Sequence, residues 1–105
     1  MITQLTLPPY TDRYKSIEQR FLDFHAANPH VYAAIVRLAK QLRASGATAG
    51  SMKQIFEVLR WEHKLRTNSE EFVLNNSYTP FYSRMVMDQE WGFKGFFETR
   101  EQKAV

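Results

Sequence analysis

The sequence predicts a small, mainly α-helical single domain of four helices. The order of its elements is compatible with a winged helix-turn-helix that includes a short β-hairpin. Apolar side chains recur at helical spacing in four segments, and these segments are separated by proline, glycine or small polar residues. The chain has 105 residues, the usual size of one domain, and lacks cysteine, which excludes disulfides and thiolate metal sites. We expect an extended N-terminal arm over residues 1–15, the helical domain over 16–100 and a polar tail over 101–105.

The first two helices are predicted to meet at Asn28-Pro29. The segment Ser16-Ile17-Glu18-Gln19 fits a capping box, so the first helix begins at Ser16. Asn28 suits the N-cap of the second helix and Pro29 its first position, while Gly46 suits the residue just past its end. The apolar stripes consist of Ile17, Phe21, Leu22 and Phe24 in the first helix and of Val31, Ile35, Leu38 and Leu42 in the second.

A third helix is predicted from Ser51, which opens a second capping-box sequence, to about Leu65. One of its sides carries Ile55, Val58, Leu59 and Glu62, and the other carries Lys53, Glu57, Arg60 and Lys64.

The segment after the third helix is predicted to form a wing over residues 71–76. Its apolar run Phe72-Val73-Leu74 is too short for a helix and precedes the turn-forming Asn75-Asn76-Ser77. Thr79-Pro80 then begins a fourth helix, with the threonine as cap and the proline at the first position. After Gly92, a last short helical turn should pack Phe93, Phe96 and Phe97 onto the core.

Composition and charge favour a cytoplasmic protein that binds an anionic partner. The chain shows neither the basic and apolar regions of a signal peptide nor an apolar run of the roughly 20 residues that cross a bilayer. Residues 37–66 contain seven Lys or Arg and two Glu, a balance of +5, whereas the remainder carries −2. Concentrated positive charge of this kind is typical of a surface for nucleic acid.

Catalytic and metal-binding patterns are missing from the sequence. His25, His30 and His63 do not have the spacing of four residues that forms a helical metal clamp. The Gly-rich phosphate-binding and nucleophile-elbow motifs do not occur, and Glu57 and Glu62 are five residues apart and not stacked on one helical face. We therefore expect no metal, no cofactor and no enzymatic activity.

The order helix, short connector, helix and wing favours duplex DNA as the partner. In a helix-turn-helix the second helix of the pair enters the major groove, and here it is the third helix of the chain. The side chains expected to face the groove are Lys53, Gln54, Glu57 and Arg60. Contacts to phosphates are expected from Arg37, Lys40, Arg43, Lys64 and Arg66, and from the wing residues Asn75 and Asn76.

The alternative is a non-enzymatic inhibitor or adaptor that binds a host or phage protein. An exposed Trp61 beside Arg60 would suit the centre of a protein–protein interface, because Trp and Arg dominate binding energy there. Homodimerisation would suit a reader of paired DNA half-sites.

Four segments together resemble a family of small, uncharacterised proteins encoded by phages and prophages. They are FHAANPHVY at 24–32, FEVLRWE at 56–62, LNNSY at 74–78 and FFETR at 96–100. The resemblance implies a mobile-element origin and adds no site residues. It favours proteins that act on DNA or that bind a protein of the host.

Overall fold

The computed structural model describes residues 15–66 and 74–98, and this part of the chain is mainly helical, as predicted. Its helices are α1 (Ile17–Ala27), α2 (Pro29–Ala44), α3 (Met52–Arg66) and α4 (Thr79–Gln89), and a 3-10 turn (Asn76–Tyr78) precedes α4. No strand occurs among the described residues; their β-pairing is confined to an isolated parallel bridge between Gly50 and Phe97.

The starts of the first three helices agree with the sequence prediction. The Ser16 hydroxyl accepts a hydrogen bond from the Gln19 N–H at 3.0 Å and caps α1. Pro29 is the first residue of α2, but the Asn28 side chain does not cap it and donates instead to the Phe24 carbonyl at 3.0 Å. The Ser51 hydroxyl accepts from the Gln54 N–H at 3.3 Å at the start of α3.

All four helices share one aromatic-rich core. Its largest fully buried side chains are Ile35 of α2, Phe56 of α3, Tyr82 and Val86 of α4, and Phe93.

Phe21 brings α1 into this core. Its ring stacks on Phe81 at 5.0 Å and meets Tyr82 edge-on at 4.8 Å between centroids. Packing of rings in these geometries adds to the stabilisation from buried area.

Two predicted stripe residues lie on the outside. Leu22 is 45% exposed and Val58 is 41% exposed, whereas Phe56 is completely buried. The stripe prediction was wrong at these two positions, and on α3 the buried face includes the larger ring of Phe56 in place of Val58. It consists of Met52, Ile55, Phe56 and Leu59.

The segment before α4 contains a turn where the sequence predicted a wing. Residues 71–73 lie outside the described part, and Leu74 is buried without belonging to a strand. The Asn75 side chain accepts from the Ser77 N–H at 2.8 Å and caps the 3-10 turn. Tyr78, not Thr79, is the N-cap residue of α4. The hairpin is therefore not confirmed, because local side-chain capping stabilises a helical turn at these residues.

The segment after α4 returns to the core, as predicted. Phe93, Phe96 and Phe97 are buried, but in irregular backbone and not in a helical turn. Gly92 and Gly95 have φ values of 86° and 75°, a left-handed conformation that interrupts a helix. Most of the predicted N-terminal arm and the whole polar tail lie outside the described residues.

Candidate functional site

Helix α3 presents two different exposed surfaces on either side of the face that it buries. The charged flank comprises Lys53, Glu57, Arg60 and Lys64, and the apolar flank comprises Gln54, Val58, Trp61 and Leu65. Within each flank, successive members are three or four residues apart, the spacing that aligns side chains along one side of a helix.

On the charged flank, Arg60 is engaged within the fold. Its Nη2 donates to the Leu74 carbonyl and to Asn76 Oδ1, each at 2.6 Å, and its guanidinium lies 6.0 Å from the centre of the Phe56 ring. Arg60 and Asn76, both predicted to contact DNA, thus bind each other. Asn75 is occupied in capping the 3-10 turn.

Two further arginines of the predicted DNA surface also connect parts of the fold. Arg37 of α2 forms an ion pair with Glu62 of α3, with Nη2 and Oε1 2.7 Å apart. Arg43 donates to the Trp91 carbonyl at 3.0 Å, and its guanidinium lies 4.1 Å from the centre of the Phe93 ring. Both contacts occupy guanidinium N–H groups that would otherwise be available to donate to a phosphate oxygen.

The other predicted DNA-contacting side chains on α2 and α3 are exposed: Lys40, Lys53, Gln54, Glu57 and Lys64. Neither of the ion pairs found in the described part of the chain involves one of these lysines. Arg66 is the last residue of α3, and its side chain lies outside what the structure describes.

The apolar flank exposes three large hydrophobic side chains side by side. Val58 is 41%, Trp61 62% and Leu65 67% exposed. Single exposed hydrophobic residues are normal on a monomeric protein, but a contiguous set marks an interaction surface. Trp91 is 91% exposed and lies elsewhere, in the turn after α4.

A groove of about 310 Å³ lies between α2 and α3 beside this flank. Its lining is mostly aliphatic and includes two residues of the flank, Gln54 and Val58, so the groove and the flank form one continuous surface. The remaining lining residues are Leu38, Gln41, Leu42, Ser51 and Ile55.

The sequence predicts Trp61 as exposed and Leu38, Leu42, Ile55 and Val58 as core-facing. Ile55 is buried and Leu38 and Leu42 pack against the core, as predicted, whereas Val58 is exposed. The spacing of Val58, Trp61 and Leu65, at intervals of three and four residues, was the available signal for a second apolar side on α3.

The described residues also limit other kinds of site. No three His, Asp or Glu side chains among them converge closely enough to hold a metal ion. Every helix in residues 15–66 and 74–98 is too short or too polar to span a bilayer.

Two tyrosines of the core have raised pKa values. Burial raises the pKa of Tyr82 to about 12, and burial together with a hydrogen bond to Glu90 raises the pKa of Tyr32. Both phenols are therefore protonated at neutral pH.

Comparison of this chain with protein-family models, with curated proteins and with solved structures gave no match in any of the three.

Proposed function

We propose that this protein is a non-enzymatic inhibitor or adaptor that binds another protein through the apolar flank of α3 and the adjoining groove. The observation that carries the proposal is the contiguous exposure of Val58, Trp61 and Leu65. The resemblance to phage and prophage proteins favours a cytoplasmic host protein as that partner.

The chemistry of the surface supports this choice over duplex DNA. Large rings at the centre of an interface contribute most of the binding energy, and Trp61 occupies the middle of the flank between Val58 and Leu65. Fewer cations of the predicted DNA surface are available to phosphates than the sequence indicated, because Arg37, Arg43 and Arg60 all have partners inside the fold.

A comparison of two tryptophan variants tests the proposal. The chain is immobilised as wild type, Trp61→Ala or Trp91→Ala, and proteins from a host lysate are captured and then purified for binding measurements. We expect a partner that binds wild type and Trp91→Ala alike, and whose affinity for Trp61→Ala is lower by a factor of about 30 or more, the loss typical of a central tryptophan. Both sites are exposed, so neither substitution should unfold the chain. Equal binding to all three chains would contradict the proposal.

Duplex DNA remains the second candidate, because Lys53, Gln54 and Glu57 are exposed in the N-terminal half of α3. This is the part of a recognition helix that reaches base edges. Fluorescence anisotropy with a labelled duplex across a salt series measures it. Binding that falls steeply with salt and is lost in Lys53→Glu/Lys64→Glu would support DNA, and absence of binding at low salt would exclude it.

A further inference from the structure

We infer that, in the free protein, the apolar flank of α3 is covered by the same flank of a second copy of the chain, with the two α3 helices antiparallel. The inference rests on the proposed function in taking this flank as a binding surface, and it states what covers the flank before a host protein binds. Two features lead to it: the spacing of the flank residues, and the charges beside them.

The spacing along the flank is that of a seam between two paired helices. Its members are four, three and four residues apart and are all exposed: Gln54, Val58, Trp61 and Leu65. The a and d positions of a heptad repeat have these intervals, which keep one side of a helix turned towards a partner helix. Val58 and Leu65 take the a positions, and Gln54 and Trp61 take the d positions. Helix α3 therefore presents to a second helix the kind of side along which helix pairs pack.

Two opposite charges lie beside this seam. Glu57 is four residues before Trp61 and Lys64 is three residues after it, so both are neighbours of Trp61 on the surface of α3. Each directly precedes an a residue and occupies a g position, where charges of one helix meet those of its partner. Both are exposed, and neither forms an ion pair within residues 15–66 and 74–98. They are therefore available to pair across an interface.

These charges favour an antiparallel arrangement. In an antiparallel pair, the g positions of the two helices face each other, so Glu57 of each copy can meet Lys64 of the other. The resulting ion pairs are equivalent, as the two-fold symmetry of a homodimer requires. A parallel pair would instead place Glu57 opposite Glu62 of the second copy, with like charge.

The same charges select the register of the pair. When Val58 of each copy lies opposite Trp61 of the other, Glu57 lies opposite Lys64. A shift by one heptad in either direction would place Lys64 opposite Lys64 or Glu57 opposite Glu57, and like charges across an interface oppose binding. Opposite charges thus meet in the register that also covers the exposed indole with an apolar side chain.

Other occupants match these features less completely. Duplex DNA would attract Lys64 but would repel Glu57, and it would leave the apolar seam without apolar contacts. A host protein that binds this flank would have to displace the second copy. Self-pairing and binding of a host protein would therefore compete for Trp61.

The direct test is self-association of the purified chain. Sedimentation equilibrium over a range of concentrations should show a monomer–dimer equilibrium for wild type and for Trp91→Ala alike. Trp61→Ala should remain monomeric at concentrations at which wild type is mostly dimeric. In Trp91→Phe, Trp61 is the remaining tryptophan, and its emission should shift to the blue with the same dependence on concentration.

Charge variants test the direction and register of the pair. Glu57→Lys has lysine at both g positions and Lys64→Glu has glutamate at both, so each alone should dimerise at least about tenfold more weakly than wild type. An equimolar mixture of these two variants should recover the wild-type affinity, because both ion pairs form again between the unlike chains. Lys94→Glu changes the net charge as Lys64→Glu does, at an exposed site outside α3, and should dimerise like wild type.

The outcomes separate this inference from the proposed function. A chain that stays monomeric, a dimer that persists in Trp61→Ala, or a mixture that dimerises no better than either charge variant alone would overturn the inference. If the chain is monomeric but captures a host protein in a Trp61-dependent way, the proposed function stands and self-pairing fails. If the chain dimerises as described but captures no host protein through Trp61, self-pairing stands and the binding of a host protein fails.

Discussion

The guanidinium of Arg60 donates to the backbone carbonyl of Leu74 at 2.6 Å and thereby joins α3 to the segment that precedes the 3-10 turn. The same nitrogen also donates to Asn76 Oδ1. Leu74 is buried, where water has little access, and Arg60 supplies the hydrogen bond that its carbonyl requires. A residue on the outer side of a helix thus contributes to the packing of the chain.

Removal of Arg60 should destabilise the fold. We expect Arg60→Ala to lower the free energy of unfolding by about 2 kcal/mol, because it leaves the Leu74 carbonyl and the Asn76 amide without their donor. Lys53→Ala, on the same flank, should change it by less than about 0.5 kcal/mol. Urea denaturation followed by circular dichroism measures both. Equal stability of the two variants would show that the Arg60 contacts do not stabilise the fold.

Gly92 and Gly95 should respond differently to alanine. Both have positive φ, so each substitution should cost about 1 kcal/mol from backbone strain. At Gly92 the new methyl group would also displace the Arg43 guanidinium from its contacts with the Trp91 carbonyl and the Phe93 ring, whereas at Gly95 it meets open space. We expect Gly92→Ala to be the more destabilising in thermal unfolding. When each alanine is introduced separately into an Arg43→Ala background, the extra loss of stability at Gly92 should vanish. An extra loss that persists there would contradict the role of Arg43.

Tyr82→Phe should leave stability unchanged or raise it. The Tyr82 ring is completely buried, and its hydroxyl has no hydrogen-bond partner among the residues that the structure describes. Loss of an unpaired buried polar group removes a desolvation cost of about 1–3 kcal/mol. Tyr32→Phe is the matched control and should cost about 1 kcal/mol, because it breaks the 3.0 Å hydrogen bond to Glu90. A loss of stability in Tyr82→Phe as large as in Tyr32→Phe would indicate a bound water at the hydroxyl.

Stability should fall at alkaline pH. Burial raises the pKa of Tyr82 from 10.0 to about 12 in the folded chain, so the folded state holds this proton more tightly than the unfolded state. The free energy of unfolding is therefore unaffected by Tyr82 ionisation below pH 10, and it decreases as the pH rises from 10 towards 12. The pKa of Tyr32 is shifted in the same direction. Urea midpoints measured across this range should decline, and the decline should be shallower in Tyr82→Phe.

The helices could be read from local sequence, because local interactions determine where they begin and end. The Ser16 and Ser51 hydroxyls bind N–H groups three residues away, and Pro29 constrains only its own turn. Residues 71–73 of the predicted wing lie outside the described residues, and at Asn75 and Ser77 a local hydrogen bond stabilises a 3-10 turn instead of an extended strand. Whether Phe56 or Val58 enters the core is not decided locally, because the predicted stripe contains Val58 and the packed structure buries Phe56 instead.

The sequence by itself determined the helical class of this protein, the starts of its first three helices and the concentration of positive charge in residues 37–66. Only the tertiary structure decided which of those cations form contacts within the fold. Arg37, Arg43 and Arg60 have partners 25, 48 and 14 residues away along the chain, and such pairings follow from helix packing and not from spacing. Helix packing also decided that Val58, Trp61 and Leu65 are exposed. The side of α3 that carries the bulkier Phe56 packs into the core, and these three residues lie on the side that faces away from it.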